Sequence, residues 1–281
     1  MRIDLHVHSS WVSQKDEAVV SPEELMNRLH QAGLDACVVL SHSAIPSIEH
    51  EPMSARERID RVMEFTKDHE ELIPFFFIDP TEGDAVEQVD YAVKAGIRGF
   101  KIICNHFFPN DPRAIPVYHR IAQADKPLLF HSGILYDGKN ASSNYNRPVN
   151  FEVLLSVPNL RFALAHISWP WCDECIALYG KAAHHRRYHT DSNPAEMFVD
   201  ITPGTPKAYR KDALSKLLDM DEAKTHVMWG SDNCVNTYQA SYSQYIRDMD
   251  EEIVADLGLG DDFLADLYAN NFMRFLNGSK K

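Results

Sequence analysis

Short, nearly continuous apolar runs alternate along this chain with segments whose apolar positions recur at helical spacing. The first run, residues 3–8, sets Ile3, Leu5 and Val7 against Asp4, His6 and His8, the alternation of a strand. Ser21, Pro22 and Glu24 then supply an N-cap, a first-turn proline and a capping-box glutamate. Leu25, Met26, Leu29 and Ala32 share one face, and Gly33 stops the helix. A buried strand over 36–40 follows, then a helix opened by Ser54 with Glu57, a strand over 72–78, and a helix opened by Asp84 with Glu87 and closed by Gly96. Strands over 99–103, 127–131, 160–165, 197–201 and 226–230 come next. Helical segments over 115–124, 151–156, 171–179 and 208–218 separate them, and further helices run from about residue 239. Eight such units with apolar strands predict an α/β fold, a (β/α)8 TIM barrel in which residues 1–281 form one domain.

Three connections exceed this rhythm: residues 41–53, 134–149 and 180–195. The first two follow strands, so they belong on the catalytic rim as walls of a site. The third follows a helix. Its run His184-His185-Arg186-Arg187-Tyr188-His189 is expected to be a solvated loop on the opposite face.

Candidate chemistry sits where the apolar runs end. His6 and His8 alternate on the first strand, so both rings leave one face and can grip one metal ion. Lys101, His131, His166 and Asp232 each lie at or near the end of a later run. Convergence at the C-terminal ends of strands is how a parallel barrel builds an active site. His6, His8, His131 and Asp232 therefore form the expected metal site, with zinc preferred for this nitrogen and oxygen set. The chain has 14 histidines, and most of the others fall in helices or loops without a ligand pattern.

Composition narrows the partners. At 44% hydrophobic and 25% charged the chain is globular, and a formal net charge of -13 argues against nucleic acid. No apolar stretch reaches a membrane span, and the metal motif begins too early for a signal peptide, so a cytoplasmic location is expected. The five cysteines suit reduced thiols. Cys172 and Cys175 form a lone CxxC, read as two helix residues three apart. The expected partner is a small-molecule substrate, without nucleic acid or membrane, and the chain is free to form a homo-oligomer.

The ordered motifs resemble the amidohydrolase superfamily, and within it the amidohydrolase-2 family of metal-dependent hydrolases and decarboxylases. They are Ile3-Asp4-Leu5-His6-Val7-His8, Gly99-Phe100-Lys101 with Pro109-Asn110-Asp111-Pro112-Arg113, Pro127-Leu128-Leu129-Phe130-His131-Ser132-Gly133, Pro158-Asn159-Leu160 through Ala165-His166, and Trp229-Gly230-Ser231-Asp232. The resemblance implies His6, His8, His131 and Asp232 as ligands of a single metal. It makes His166 a pocket residue or second-metal ligand, and Lys101 the position that is carbamylated in members with two metals. The N-terminal part also resembles the PHP phosphoesterases, although Ser41 precedes His42 where that family places Asp, and Asn233 and Cys234 follow Asp232 where it places a histidine.

Hydrolysis of an amide, ester or lactone by a metal-activated water is the expected reaction. Asp232 would move the proton, Lys101 would steady the oxyanion, and His166 is a second choice for polarising the carbonyl. Decarboxylation of a small carboxylated aromatic or dienoic acid is the alternative, with Arg147, then Arg113, as the carboxylate-binding group. Arg147, His42 and Trp169 are the candidate substrate-binding side chains. Trp11, Phe107, Phe108, Tyr136, Tyr145 and Trp171 are further aromatic candidates for the pocket wall.

Overall fold

The computed structural model describes residues 1–9, 20–45, 53–136, 142–189 and 193–278. Trp11, much of the 41–53 connection and parts of the other two long connections lie outside the described residues. Strands β1 (Ile3–His8), β2 (Ala36–Leu40), β3 (Leu72–Phe77), β4 (Gly99–Ile102), β5 (Pro127–Phe130), β6 (Arg161–Leu164) and β7 (Glu196–Asp200) pair in sequence order, every pair parallel. Helices α1 (Pro22–Gln31), α2 (Ala55–Thr66), α3 (Ala85–Ala95) and α4 (Ile115–Gln123) connect the early strands. Ser21 and Ser54 make the expected caps, each accepting from the backbone N–H three residues on. Asp84 does not: its carboxylate takes the Gln88 amide at 2.9 Å instead.

Two expectations need correction. Helix α5 (Cys172–Tyr188) continues through the histidine and arginine run, so residues 184–188 are helix rather than loop. Arg186 reaches Glu196 at 3.3 Å and Arg187 reaches Glu222 at 3.1 Å, and basic side chains in a last turn complement the helix dipole. The eighth strand is not one run over 226–230. It breaks into β8 (Val227–Met228), which pairs with β7, and β9 (Asn233–Cys234), which pairs with Val7 and His8 of β1. Trp229 O accepts from Leu5 N at 3.3 Å between them, so one interrupted segment closes the barrel. The helix expected over 151–156 is a 3-10 helix, Pro148–Ser156.

Helices α6 (Lys207–Leu218), α7 (Ala240–Asp256), α8 (Asp261–Ala265) and α9 (Asn271–Asn277) complete the element order. Among the described residues no helix is long and apolar enough to cross a membrane.

Two buried clusters show which way each strand residue faces. Ile3, Leu5, Val38, Leu40, Phe75, Leu129, Ala163, Ala165 and Phe198 fill the barrel interior, where Phe272, Phe275 and Leu276 of α9 join them. Cys37, Val39, Phe100, Ile102, Leu128, Phe130, Phe162, Leu164, Met197 and Val199 belong to the larger cluster between sheet and helices. On β1 the register shifts between Asp4 and Val7, and the faces exchange there: Leu5 is interior, while Val7 joins the outer cluster. That shift leaves His6 and His8 on the inner side and Asp4 on the outer.

Candidate metal centre and active site

At the C-terminal end of β1, His6 Nε2 and His8 Nε2 stand 3.2 Å apart. Asp232 Oδ1 lies 3.2 Å from His8 Nε2 and 3.5 Å from His6 Nε2. One ligand atom from each of the three falls within 4.8 Å of the others. The two rings are buried, while Asp232 is about a third exposed and faces the mouth. Asp232 reaches this position because it sits in the gap between β8 and β9 with φ 60°, a left-handed conformation that Asp tolerates better than most residues.

His6 is oriented from behind. Its Nδ1 faces Asp200 Oδ2 at 2.7 Å, so the proton sits on Nδ1 and the lone pair on Nε2 points at the cluster. Asp200 is in turn held by Thr202, whose N–H donates at 2.7 Å and whose hydroxyl also donates. Sequence reasoning missed Asp200 and Thr202. Asp200 shares its strand face with interior Phe198, but it lies inside the apolar run that Ile201 continues, so it does not stand out as an ending. Lys101, inward on β4 and fully buried, donates to His6 Nε2 at 3.0 Å.

His131, the fourth expected ligand, is not part of the three-residue cluster. Its Nε2 faces Ile134 O at 3.1 Å and its Nδ1 faces His166 Nε2 at 3.2 Å. His166 Nδ1 faces Pro203 O at 2.8 Å. The two carbonyls take the two N–H groups, which turns the lone pairs of His131 Nδ1 and His166 Nε2 toward each other. Strand alternation alone would point His166 outward, because Ala165 is interior. Instead His166, Ile167 and Ser168 are all left-handed, with φ 63°, 49° and 57°, and the ring swings back to within 5.5 Å of His6, centre to centre. Ser132 Oγ donates to Ala165 O at 2.6 Å and Thr205 Oγ1 to His166 O at 2.7 Å, holding this turn. Gly133 and Gly204 make room for it: a Cβ on Gly133 would meet Trp169 O at 2.3 Å, and one on Gly204 would meet His166 Cβ at 2.7 Å.

Burial keeps the imidazoles neutral. It pushes His6 and His131 well below the ordinary histidine value, helped by the Lys101 charge, and His166 down to about 4. For His8, burial outweighs the opposing pull of Asp232. Burial also lowers Lys101 and raises Asp200, while their mutual attraction restrains both. For Asp232, burial acts upward but the His8 hydrogen bond and nearby positive charge win, so the carboxyl is held below its usual range. Converging neutral nitrogens, two carboxylates and one ammonium suit a divalent cation: His6, His8 and Asp232 could hold it, and His131 and His166 could add donors.

His42, Arg147 and Trp169 follow β2, β5 and β6 in the chain. His42 follows β2 and lines a 740 Å³ cavity with Ser54, Arg61 and Phe65 of the α2 region. None of His6, His8, His131, His166 and Asp232 lines that cavity. Trp169 accepts from Ile134 N at 2.7 Å and lines a 440 Å³ cleft with Trp171, Glu174 and Tyr209. Arg147 is bound to Glu174 through Nε at 2.9 Å and through Nη2, and Arg113 is bound to Asp111 at 2.6 Å.

The amidohydrolase family model, of the amidohydrolase-2 type, matches residues 3–278. Among solved structures, an uncharacterised TIM-barrel protein from Bordetella bronchiseptica is 15% identical, with TM-score 0.70 and 98% of each chain covered. A probable 2-pyrone-4,6-dicarboxylic acid hydrolase from Acinetobacter baumannii is 12% identical, with TM-score 0.64 and 99% of each chain covered. A 5-carboxyvanillate decarboxylase from Novosphingobium aromaticivorans, solved with manganese, is 10% identical, with TM-score 0.63 and coverage of 98% of this chain and 96% of its own. At such identities these likenesses show the fold, and no curated protein matches. On the family match over nearly its whole length, the chain belongs to the amidohydrolase-2 family.

Proposed function

We propose that the protein is a metal-dependent hydrolase acting on an amide, ester or lactone carbonyl of a small polar substrate. The observation that carries this reading is the convergence of His6, His8 and the mouth-facing Asp232 within 4.8 Å. A bound divalent cation, zinc by donor chemistry, would lower the pKa of a coordinated water toward neutrality and polarise the carbonyl. Asp232, ionised and partly exposed, accepts the attacking water's proton and returns it to the leaving group. Lys101 as an ammonium steadies the oxyanion. Carbamylated, it would instead favour a second cation beside His131 and His166. With its Nδ1 proton turned to Pro203 O, His166 offers a lone pair, so it acts as a donor to a cation or an acceptor from the substrate.

The other activities find less support. Arg147 and Arg113 are each engaged by a carboxylate, which removes them as ready anchors for a substrate to be decarboxylated. Ser41 accepts from Phe77 N at 2.9 Å and donates to His42 O at 3.1 Å, so it is a structural residue and no replacement for the aspartate of a PHP site. The test is a panel of amides, esters, lactones and carboxylated aromatics, assayed before and after chelation and after zinc or manganese is restored. Metal-dependent hydrolysis without carbon dioxide release is expected. Carbon dioxide release from an aromatic acid would overturn the hydrolytic reading.

A further inference from the structure

Asp4 lies two residues before His6 but on the opposite, outer side of β1, and is fully buried. Its carboxylate accepts four hydrogen bonds: Oδ1 from Ser231 N at 2.8 Å and His6 N at 3.2 Å, Oδ2 from Ser231 Oγ at 2.5 Å and Tyr238 OH at 2.9 Å. The network extends beyond it in one direction. Asn233 donates from its backbone N at 3.2 Å and from Nδ2 at 3.1 Å to Ser231 Oγ, and Nδ2 also donates to Ser243 Oγ at 2.8 Å. Ser243 Oγ in turn donates to Tyr238 OH at 3.0 Å. Every hydrogen in this chain points toward Asp4, its terminal acceptor. Both neighbours of Asp232 are therefore pinned, Ser231 directly and Asn233 through Ser231 and Ser243. Gly230 brings the segment close enough that a Cβ there would meet His6 Cβ at 2.9 Å.

We propose that Asp4, acting through Ser231 and Tyr238, is the positioning residue for Asp232, holding the left-handed turn that presents the Asp232 carboxylate to His6 and His8. A left-handed backbone is less favourable than an extended one even for aspartate, and the Asp4 network fixes both flanks of this turn. The inference rests on the metal-site reading above.

The experiment measures cobalt(II) affinity by competition with a chromophoric chelator, the visible spectrum at saturating cobalt, and thermal unfolding of the metal-free protein. Tyr238→Phe removes one hydroxyl and keeps the ring. It should weaken cobalt binding about tenfold and alter the spectrum, with metal-free unfolding nearly unchanged. In an Asp232→Ala background the same change should cost under about twofold, because the group being positioned is already gone. Ser231→Ala, or Asp4→Asn if it folds, should behave likewise. Wild-type affinity and spectrum in Tyr238→Phe and Ser231→Ala, or an equal loss in the Asp232→Ala background, would overturn the inference while leaving the metal site standing. A wild-type protein that binds no cobalt would overturn both.

Discussion

Two pairs of imidazole nitrogens face one another across the barrel mouth at the same 3.2 Å separation, His6 with His8 and His131 with His166, yet they are held by different means. The first pair is backed by a carboxylate, Asp200, and fronted by a second, Asp232, with the Lys101 ammonium alongside. The second pair is backed by two peptide carbonyls, Ile134 O and Pro203 O. A carboxylate behind a histidine raises its donor strength and a carboxylate in front brings charge to a cation, whereas a carbonyl behind fixes orientation and raises donor strength without bringing a charge. The first half of the mouth can thus anchor a cation by itself, and the second half supplies neutral donors to whatever the first half holds. Backbone differs as well: the first pair stands on extended strand, the second depends on the left-handed turn at His166.

Removing the anchoring half should have the largest effect. His6→Ala with His8→Ala should abolish stoichiometric zinc or manganese on elemental analysis, even with His131 and His166 intact. Retained metal would move the anchor to the other pair. Asp232→Asn tests the same half at the level of chemistry: it keeps an oxygen ligand but loses basicity, and turnover of an identified substrate should fall by about 10² to 10⁴-fold in a folded protein. Near-normal turnover would sink the hydrolytic mechanism.

The carbonyl-backed half should announce itself through pH. In the metal-free protein His166 is pushed down to about 4, whereas the unfolded imidazole titrates near 6.5. Below 6.5 the unfolded chain therefore binds a proton the folded one does not. The stability is fully present above that pH and is lost as pH falls toward 4, by about 3 kcal/mol for this residue alone. Denaturant midpoints of the metal-free protein at several pH values should fall less steeply for His166→Asn than for wild type. Parallel curves would show that His166 is not held neutral by the fold. Smallest is the support behind His6: Asp200→Asn should weaken metal affinity about 10- to 100-fold, read by chelator competition, without removing the site. An unchanged affinity would leave the two halves equivalent after all.

Much of this was legible in the chain and some was not. Capping residues and helical spacing located α1 and α2, and apolar runs located β1 to β7, because local propensity and burial agree there. Asp84 and the interrupted eighth strand departed from expectation because a competing partner, Gln88 in one case and the turn built on Asp4 in the other, outweighed the local rule. Residues 184–188 proved helical, continuing α5, with Arg186 and Arg187 meeting Glu196 and Glu222 from other elements. The charge of Arg147 is engaged by Glu174, a contact with no sequence signal.

By itself, then, the sequence determined the parallel barrel, since eight apolar runs separated by amphipathic helices have few other ways to bury their faces. It also determined that His6, His8, Lys101, His131, His166 and Asp232 collect at one end, because strand ends in such a barrel converge. Which way each side chain turns was left to tertiary structure. The register shift on β1, the left-handed turn at His166 and the pinned gap that holds Asp232 each override simple alternation. Each is stabilised by hydrogen bonds between residues far apart in the chain, which no local pattern encodes.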